Sequence, residues 1–184
     1  MTPAARPQRA DARRNHERLL AAARETFAGE GPEASLNEIA RRAGVGPGTL
    51  YRHFPTREAL LAAVLRDRVL TLCGRAEKLA AAASPGEALD SWLRAFLRHA
   101  RTDHGLTGYL MIEQPPDLGF DCHQAILDAA AGLLGRAQRD GSARPDLTPR
   151  DLLQLVTGIA LSTAADADQA DRLLAVMLDG LRSG

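Results

Sequence analysis

The sequence predicts an all-α protein of about nine helices, and three observations predict it. Alanine and leucine supply about a third of the 184 residues while aromatic residues supply 4%, a composition that favours helix over sheet. Apolar side chains recur at three- and four-residue intervals along most of the chain, the spacing that stacks them on one helix face. Glycine, proline and short polar residues fall between those rows, where helices are capped and stopped. The length suits one compact body with at most a small appended module.

Residues 1–12 (MTPAARPQRADA) have no apolar periodicity and are expected to form a flexible arm. From Arg13 to Glu30, Leu19, Ala23 and Phe27 recur every fourth residue, and Gly29 and Gly31 end this first helix. Ser35-Leu36-Asn37-Glu38 has the form of a capping box, in which Ser35 accepts from a backbone N–H and Glu38 reaches back to the cap. Leu36, Ile39, Ala40 and Ala43 then face inward on a short second helix. Gly44 supplies the left-handed residue that stops it, and Val45 follows as an apolar plug. Pro47 suits the first position of a third helix, expected to His53, with Leu50 and Phe54 as its buried side. Pro55 ends it and Thr56 caps a long fourth helix from Arg57 to about residue 83, with Leu60, Leu61, Val64, Leu65 and Val69 as its stripe. Ser84 and Pro85 restart a helix through Trp92, Leu93, Phe96 and Leu97 to about Thr102. A looser stretch from Asp103 to Phe120 follows, then helices at about 121–140, 149–165 and 168–182.

The net charge is zero, which on average speaks against phosphate binding. The distribution is uneven, however: residues 1–60 carry ten arginines against seven acids, and residues 61–184 carry thirteen basic against sixteen acidic residues. Cys73 and Cys122 are too few for the disulfide framework of a small secreted domain and lack CxxC spacing. No apolar run approaches the roughly 20 residues of a bilayer span, and no signal-peptide core opens the chain. A soluble, cytoplasmic protein without membrane association is expected.

The second helix, the glycine turn and the third helix form a helix-turn-helix, the geometry that lays a second helix in the DNA major groove. With Leu50 and Phe54 turned inward, Gly46, Pro47, Gly48, Thr49, Tyr51, Arg52 and His53 are left for solvent or a partner. These are small residues and hydrogen-bonding tips, suited to close approach to base edges and phosphates. Arg57 puts a cation in the first turn of helix four, where it opposes the helix dipole unless an anion lies nearby; a phosphate is the simplest candidate.

Residues 17–65, and AGVGPGTLYRHFPTREAL above all, resemble the DNA-binding domain of TetR-family transcriptional repressors, while the rear half has some likeness to SbtR-like C-terminal domains. The resemblance implies a DNA-binding head over residues 13–57 and a ligand-binding and dimerisation body over residues 58–184, joined through helix four. It also implies base or backbone contacts from Thr49 and the turn before it, phosphate contacts from Tyr51, His53 and Arg57, and a secondary contact from Ser35 or Asn37. Pro47 departs from the polar residue frequent at its position in the family, and Arg52 is the candidate to compensate.

In the rear half, one closing helix presents Leu152, Leu155, Val156 and Ile159, and the other Leu173, Leu174, Met177 and Leu181. Periodicity alone divides evenly between internal core and homodimer seam; the resemblance assigns them to the seam, and apolar rows on two sides exceed one core face. Two-fold symmetry also fits DNA, because paired heads must sit about 34–36 Å apart to read successive major grooves.

Trp92, Phe96, His99, Tyr109, Met111, Phe120, Cys122 and His123 gather in the middle third as candidates to line a small-molecule pocket, with plain core as the alternative for each. His99, Asp103, His104 and His123 permit a metal site by spacing. No cysteine pair or HExxH accompanies them, so no metal and no cofactor is expected. GVGPG at 44–48 lacks the preceding strand of a dinucleotide loop, and neither a GxSxG elbow nor a Walker loop occurs. The expected function is a non-enzymatic homodimeric repressor of a palindromic, inverted-repeat operator in double-stranded DNA, released by a small-molecule effector. The alternative is an all-helical small-molecule-binding protein or enzyme whose helix-turn-helix is only structural.

Overall fold

A computed structural model describes residues 5–82, 84–112 and 121–182, with side chains described except at 5–10 and 103–112. Eight helices occur among these residues, where about nine are expected from the sequence, and no strand: α1 (Ala5–Glu30), α2 (Leu36–Arg42), α3 (Pro47–His53), α4 (Arg57–Ala82), α5 (Pro85–Ile112), α6 (Cys122–Asp140), α7 (Pro149–Ser162) and α8 (Ala167–Leu181).

Two boundaries differ from the sequence reading. The segment expected as an arm is helical from Ala5. Alanine, arginine and glutamine favour helix without needing an apolar face, and Pro7 lies in the first turn, where its missing N–H has no helical partner to lose. Ion pairs of Asp11 with Arg14 and of Arg13 with Glu17 reinforce the next turns. The stretch expected to loosen from Asp103 continues α5 to Ile112. Gly105 and Gly108 cost about 1 kcal/mol each relative to alanine, but a helix already nucleated needs only one more bond per residue to continue.

Contacts divide the described residues into two units within α4: those up to Arg66 together with the end of α5 from Gly105, and those from Asp67 to His104 together with residues 121–182. In the first unit, Leu19, Ala23 and Phe27 of α1, Ile39 and Ala40 of α2, Leu50 of α3, Phe54, and Leu60, Leu61 and Val64 of α4 form one core. Seven residues are too few for α2 or α3 to persist alone, so burial of Ile39 and Leu50 holds them helical.

In the second unit, Leu72 and Ala76 of α4 join the α5 row Leu89, Trp92, Leu93, Phe96 and Leu97 with the inner faces of α6, α7 and α8. Its helix ends follow from local chemistry. Asp121 caps α6, which stops at left-handed Gly141 (φ 81°). Thr148 and Asp151 form a complete capping box on α7, and Asp166 caps α8. No helix among the described residues is long and apolar enough to cross a membrane.

Candidate functional site

The turn between α2 and α3 is fixed by its backbone. Gly44 adopts φ 67°; its N–H donates to the Arg41 carbonyl, and the Val45 N–H donates to that of Ala40, both at 3.0 Å. This double bond pattern closes a helix by way of a left-handed residue. A side chain at 44 would also meet the Arg18 guanidinium. Gly46 is extended, and its carbonyl accepts from Thr49 N–H at 2.9 Å and Leu50 N–H at 3.3 Å, starting α3 with Pro47 in its first turn. Leu50 is fully buried and Phe54 nearly so, as the sequence predicts.

Gly46, Pro47, Gly48, Tyr51 and Arg52 are exposed, and Thr49 is half-buried. Tyr51 keeps 49% of its surface open to solvent. Arg52 Nε donates to the Gly48 carbonyl at 3.1 Å, which draws the guanidinium along the helix. His53 departs from the outward set: it is half-buried, its ring 5.7 Å from that of His16, while His16 lies 4.9 Å from Phe54.

Ser35 and Asn37 are exposed on α2, and Ser35 Oγ accepts from Glu38 N–H at 3.4 Å. The other half of the expected capping box is replaced. The Glu38 carboxylate accepts from Arg41 Nε at 2.8 Å and Nη2 at 2.7 Å, and from Arg42 Nε at 2.8 Å. These bonds, Arg41 first and Arg42 second, pull the Glu38 pKa down to about 2. Arg42 continues to Glu30 at 3.1 Å and to the Thr26 hydroxyl at 3.3 Å, tying α2 to α1.

Arg57 corrects the sequence reading in its reason. Its Nη1 donates to the carbonyls of Pro32 at 2.7 Å and Ala34 at 2.6 Å. The partner offsetting its position at the start of α4 is thus a pair of carbonyl dipoles in the α1–α2 loop, so no phosphate is needed to explain the residue.

In the second unit, the candidate pocket residues separate. Trp92 is fully buried core, with its indole N–H donating to the Leu72 carbonyl at 3.0 Å and its ring stacked on Phe96 at 5.7 Å, and it does not line the groove that Phe96 and His123 share. Phe96 and His123 share a groove of about 340 Å³ with Ile126, Leu127, Arg150, Leu153, Gln154, Thr157, Gly158 and Leu161. His99 lies beside Phe96 at 6.2 Å but does not line the groove. Tyr109 and Met111 belong to the α5 backbone, with side chains outside the description, and Phe120 lies outside the described residues. A second groove of about 360 Å³ between α4 and α6 includes Cys73, Glu77, Asp128 and Arg136. Burial pushes the Cys73 thiol up, and Glu77 and Asp128 add to the shift.

The expected seam residues also divide. Leu152, Val156 and Leu174 are fully buried and Leu181 nearly so in their own chain; having no surface left for a second copy, they are core. Leu155 and Leu173 are exposed, and Ile159 and Met177 are half-buried. Sequence reasoning missed Leu161, at 56%, and Val176, at 70% exposure. Val176 stands three residues after Leu173, which is the signal that would have found it. Arg150 and Gln154 were missed because polar groove residues share the pattern of any solvated face.

Residues 19–64 match the family of bacterial regulatory proteins of the tetR type, and residues 84–183 match the transcriptional regulator SbtR-like C-terminal domain. The structure is similar to that of a TetR transcriptional regulator of Streptomyces coelicolor, at 41% identity and a TM-score of 0.81, covering 91% of this chain and 98% of that one. The sequence is 29% identical over 167 residues to the HTH-type transcriptional regulator UidR of Escherichia coli, covering 85% of each chain. It is 43% identical over 65 residues to the uncharacterized regulator TtgW of Pseudomonas putida, a match that spans 48% of that relative. With a helix-turn-helix whose turn and buried side are fixed as described, and matches that run from head to body, this chain belongs to the TetR family of DNA-binding transcriptional regulators.

Proposed function

We propose that the protein is a cytoplasmic homodimeric repressor that binds a palindromic operator and is released by a small-molecule ligand. The observation that carries the reading is the outward face of α3, where Gly46, Pro47 and Gly48 let the backbone approach a duplex closely and Tyr51 and Arg52 stand open beside them. Thr49 takes a base edge, Tyr51 and Arg52 take phosphates, and Ser35 and Asn37 add contacts from α2. His53 and Arg57 act mainly by holding the head in shape, through His16 and the α1–α2 loop.

Dimerisation is supported by exposed Leu155 on α7 and Leu173 and Val176 on α8. Large apolar side chains left open on two consecutive helices favour burial, and a two-fold axis gives each copy the same surface to bury. Release follows if ligand binds better to an arrangement whose recognition helices no longer match successive grooves.

Electrophoretic mobility shift on the protein's own upstream DNA tests the reading. Tyr51→Ala and Arg52→Ala should weaken binding with the helical circular dichroism unchanged, and affinity should fall steeply with salt. Val176→Asp should give a monomer by analytical ultracentrifugation and lose the shifted band. A salt-independent shift, or full DNA binding by a monomer, sinks the proposal.

A further inference from the structure

We infer that the groove lined from α5, α6 and α7 takes an amphipathic organic anion, an acyl or aryl carboxylate, with its charge held by Arg150. This rests on the proposal of ligand release and names the chemical class of that ligand.

The groove has two unlike walls. Arg150, Gln154 and Thr157 recur along α7 at helical spacing and give one polar edge, while Phe96, Ile126, Leu127, Leu153 and Leu161 give apolar surface. Eleven residues of α7 separate Arg150 from Leu161, a span of roughly 16 Å. The volume of about 340 Å³ falls at the small end of small-molecule sites. An elongated molecule with one polar end and an apolar body matches both walls, and a compact polar solute does not.

The sign of the charge follows from the side chains. Arg150 and His123 line the groove, and among the described residues no acid does. The groove between α4 and α6, of nearly the same size, instead carries Glu77 and Asp128 against Arg136. Arg150 stands in the first turn of α7, where a cation opposes the helix dipole. Arg57 occupies a similar place on α4 and is answered by two carbonyls. Arg150, His123, Gln154 and Thr157, by contrast, make no hydrogen bond or ion pair among the described residues.

The acids nearest in sequence are committed elsewhere. Asp151 accepts from the Thr148 N–H and hydroxyl, Asp146 pairs with Arg144 at 2.7 Å, and Asp121 caps Gln124 N–H. Asp128 accepts from Gln124 Nε2 and lines the other groove. A carboxylate in this groove therefore meets an unpaired, permanently charged guanidinium with forked donors.

The test titrates the full chain with decanoate, decan-1-ol and decyltrimethylammonium, which share one tail and differ in head charge. Calorimetry gives the affinities, and the emission of Trp92, the single tryptophan, reports binding through its stack on Phe96. Decanoate should bind about tenfold or more tighter than the alcohol, and the cation weakest. Arg150→Gln should bring acid and alcohol to within about twofold, while Arg136→Gln in the other groove leaves the preference intact. Circular dichroism checks that both variants fold.

Equal affinity for the three heads, or an undiminished acid preference in Arg150→Gln, overturns the inference. So does a finding that Arg150→Gln or Leu161→Asp changes oligomeric mass while decanoate affinity stays put, because a second copy then fills the groove. The titrations use no DNA, so a lack of decanoate selectivity beside an intact operator mobility shift defeats this inference alone, whereas selective decanoate binding that leaves that shift undiminished defeats the proposed ligand response.

Discussion

The two units hold their helices by different means. In the head, α2 and the α1–α2 loop are tied by arginines: Arg42 reaches Glu30, Glu38 and Thr26, and Arg57 reaches two loop carbonyls. In the body, long capped helices close on a wide apolar core around Trp92. Small helices bury little area each, so charge-assisted bonds supply orientation that the core alone does not. The placement of α2 beside α1 therefore rests in part on charged side chains as well as on the core.

The largest expected effect comes from removing the apolar anchor of α3. Leu50→Ala should destabilise the head by about 2–5 kcal/mol, because the cavity lies under a seven-residue helix of which Leu50 is the one fully buried side chain. Chemical denaturation followed by circular dichroism should show an early loss of helix while Trp92 emission still reports a folded body; a single shared transition would erase the contrast between units. Arg57→Ala comes next, at about 1.5–3 kcal/mol for charged hydrogen bonds to carbonyls. It should weaken DNA binding without changing the salt slope, whereas Arg52→Ala should lower the slope by about one. A slope change in Arg57→Ala would return that residue to the phosphate contacts.

Acid sharpens the comparison further. The Glu38 pKa falls from its ordinary 4.5 to about 2 in the folded state, so the stability it contributes is complete above the unfolded value and is lost as pH falls through the folded one. Between about pH 4.5 and 2, Glu38→Gln should flatten the acid dependence of head melting and leave that of the body unchanged. The smallest expected effect is on specificity: Thr49→Ala should relax preference at one base pair by about 1–3 kcal/mol, measured by competition between operator variants, with head stability intact.

Most of the head was legible in the sequence. Ser35, Gly44, Pro47 and the pair Leu50 and Phe54 each dictate a local conformation or a buried side by their own chemistry, and the structure places the turn and helices accordingly. Glu38 was legible only as a cap, because nothing local told that Arg41 and Arg42 would compete for its carboxylate at shorter range. Arg57 was legible as a cation needing a partner, but its partners lie 23 and 25 residues away. In the body the limit was of another kind. Leu152 and Leu155 obey the same periodicity, yet one is fully buried and the other is 47% exposed.

The sequence by itself determined where most helices run, the glycine turn and the inward side of α3, because those follow from backbone geometry and spacing within a few residues. Only the tertiary structure decided which apolar rows are core and which remain open, where the Arg57 guanidinium rests, and that Arg150 lines a groove with no partner among the described residues. Burial and pairing at those positions depend on what other helices bring to them, and a periodic pattern records that a face is apolar without recording what covers it.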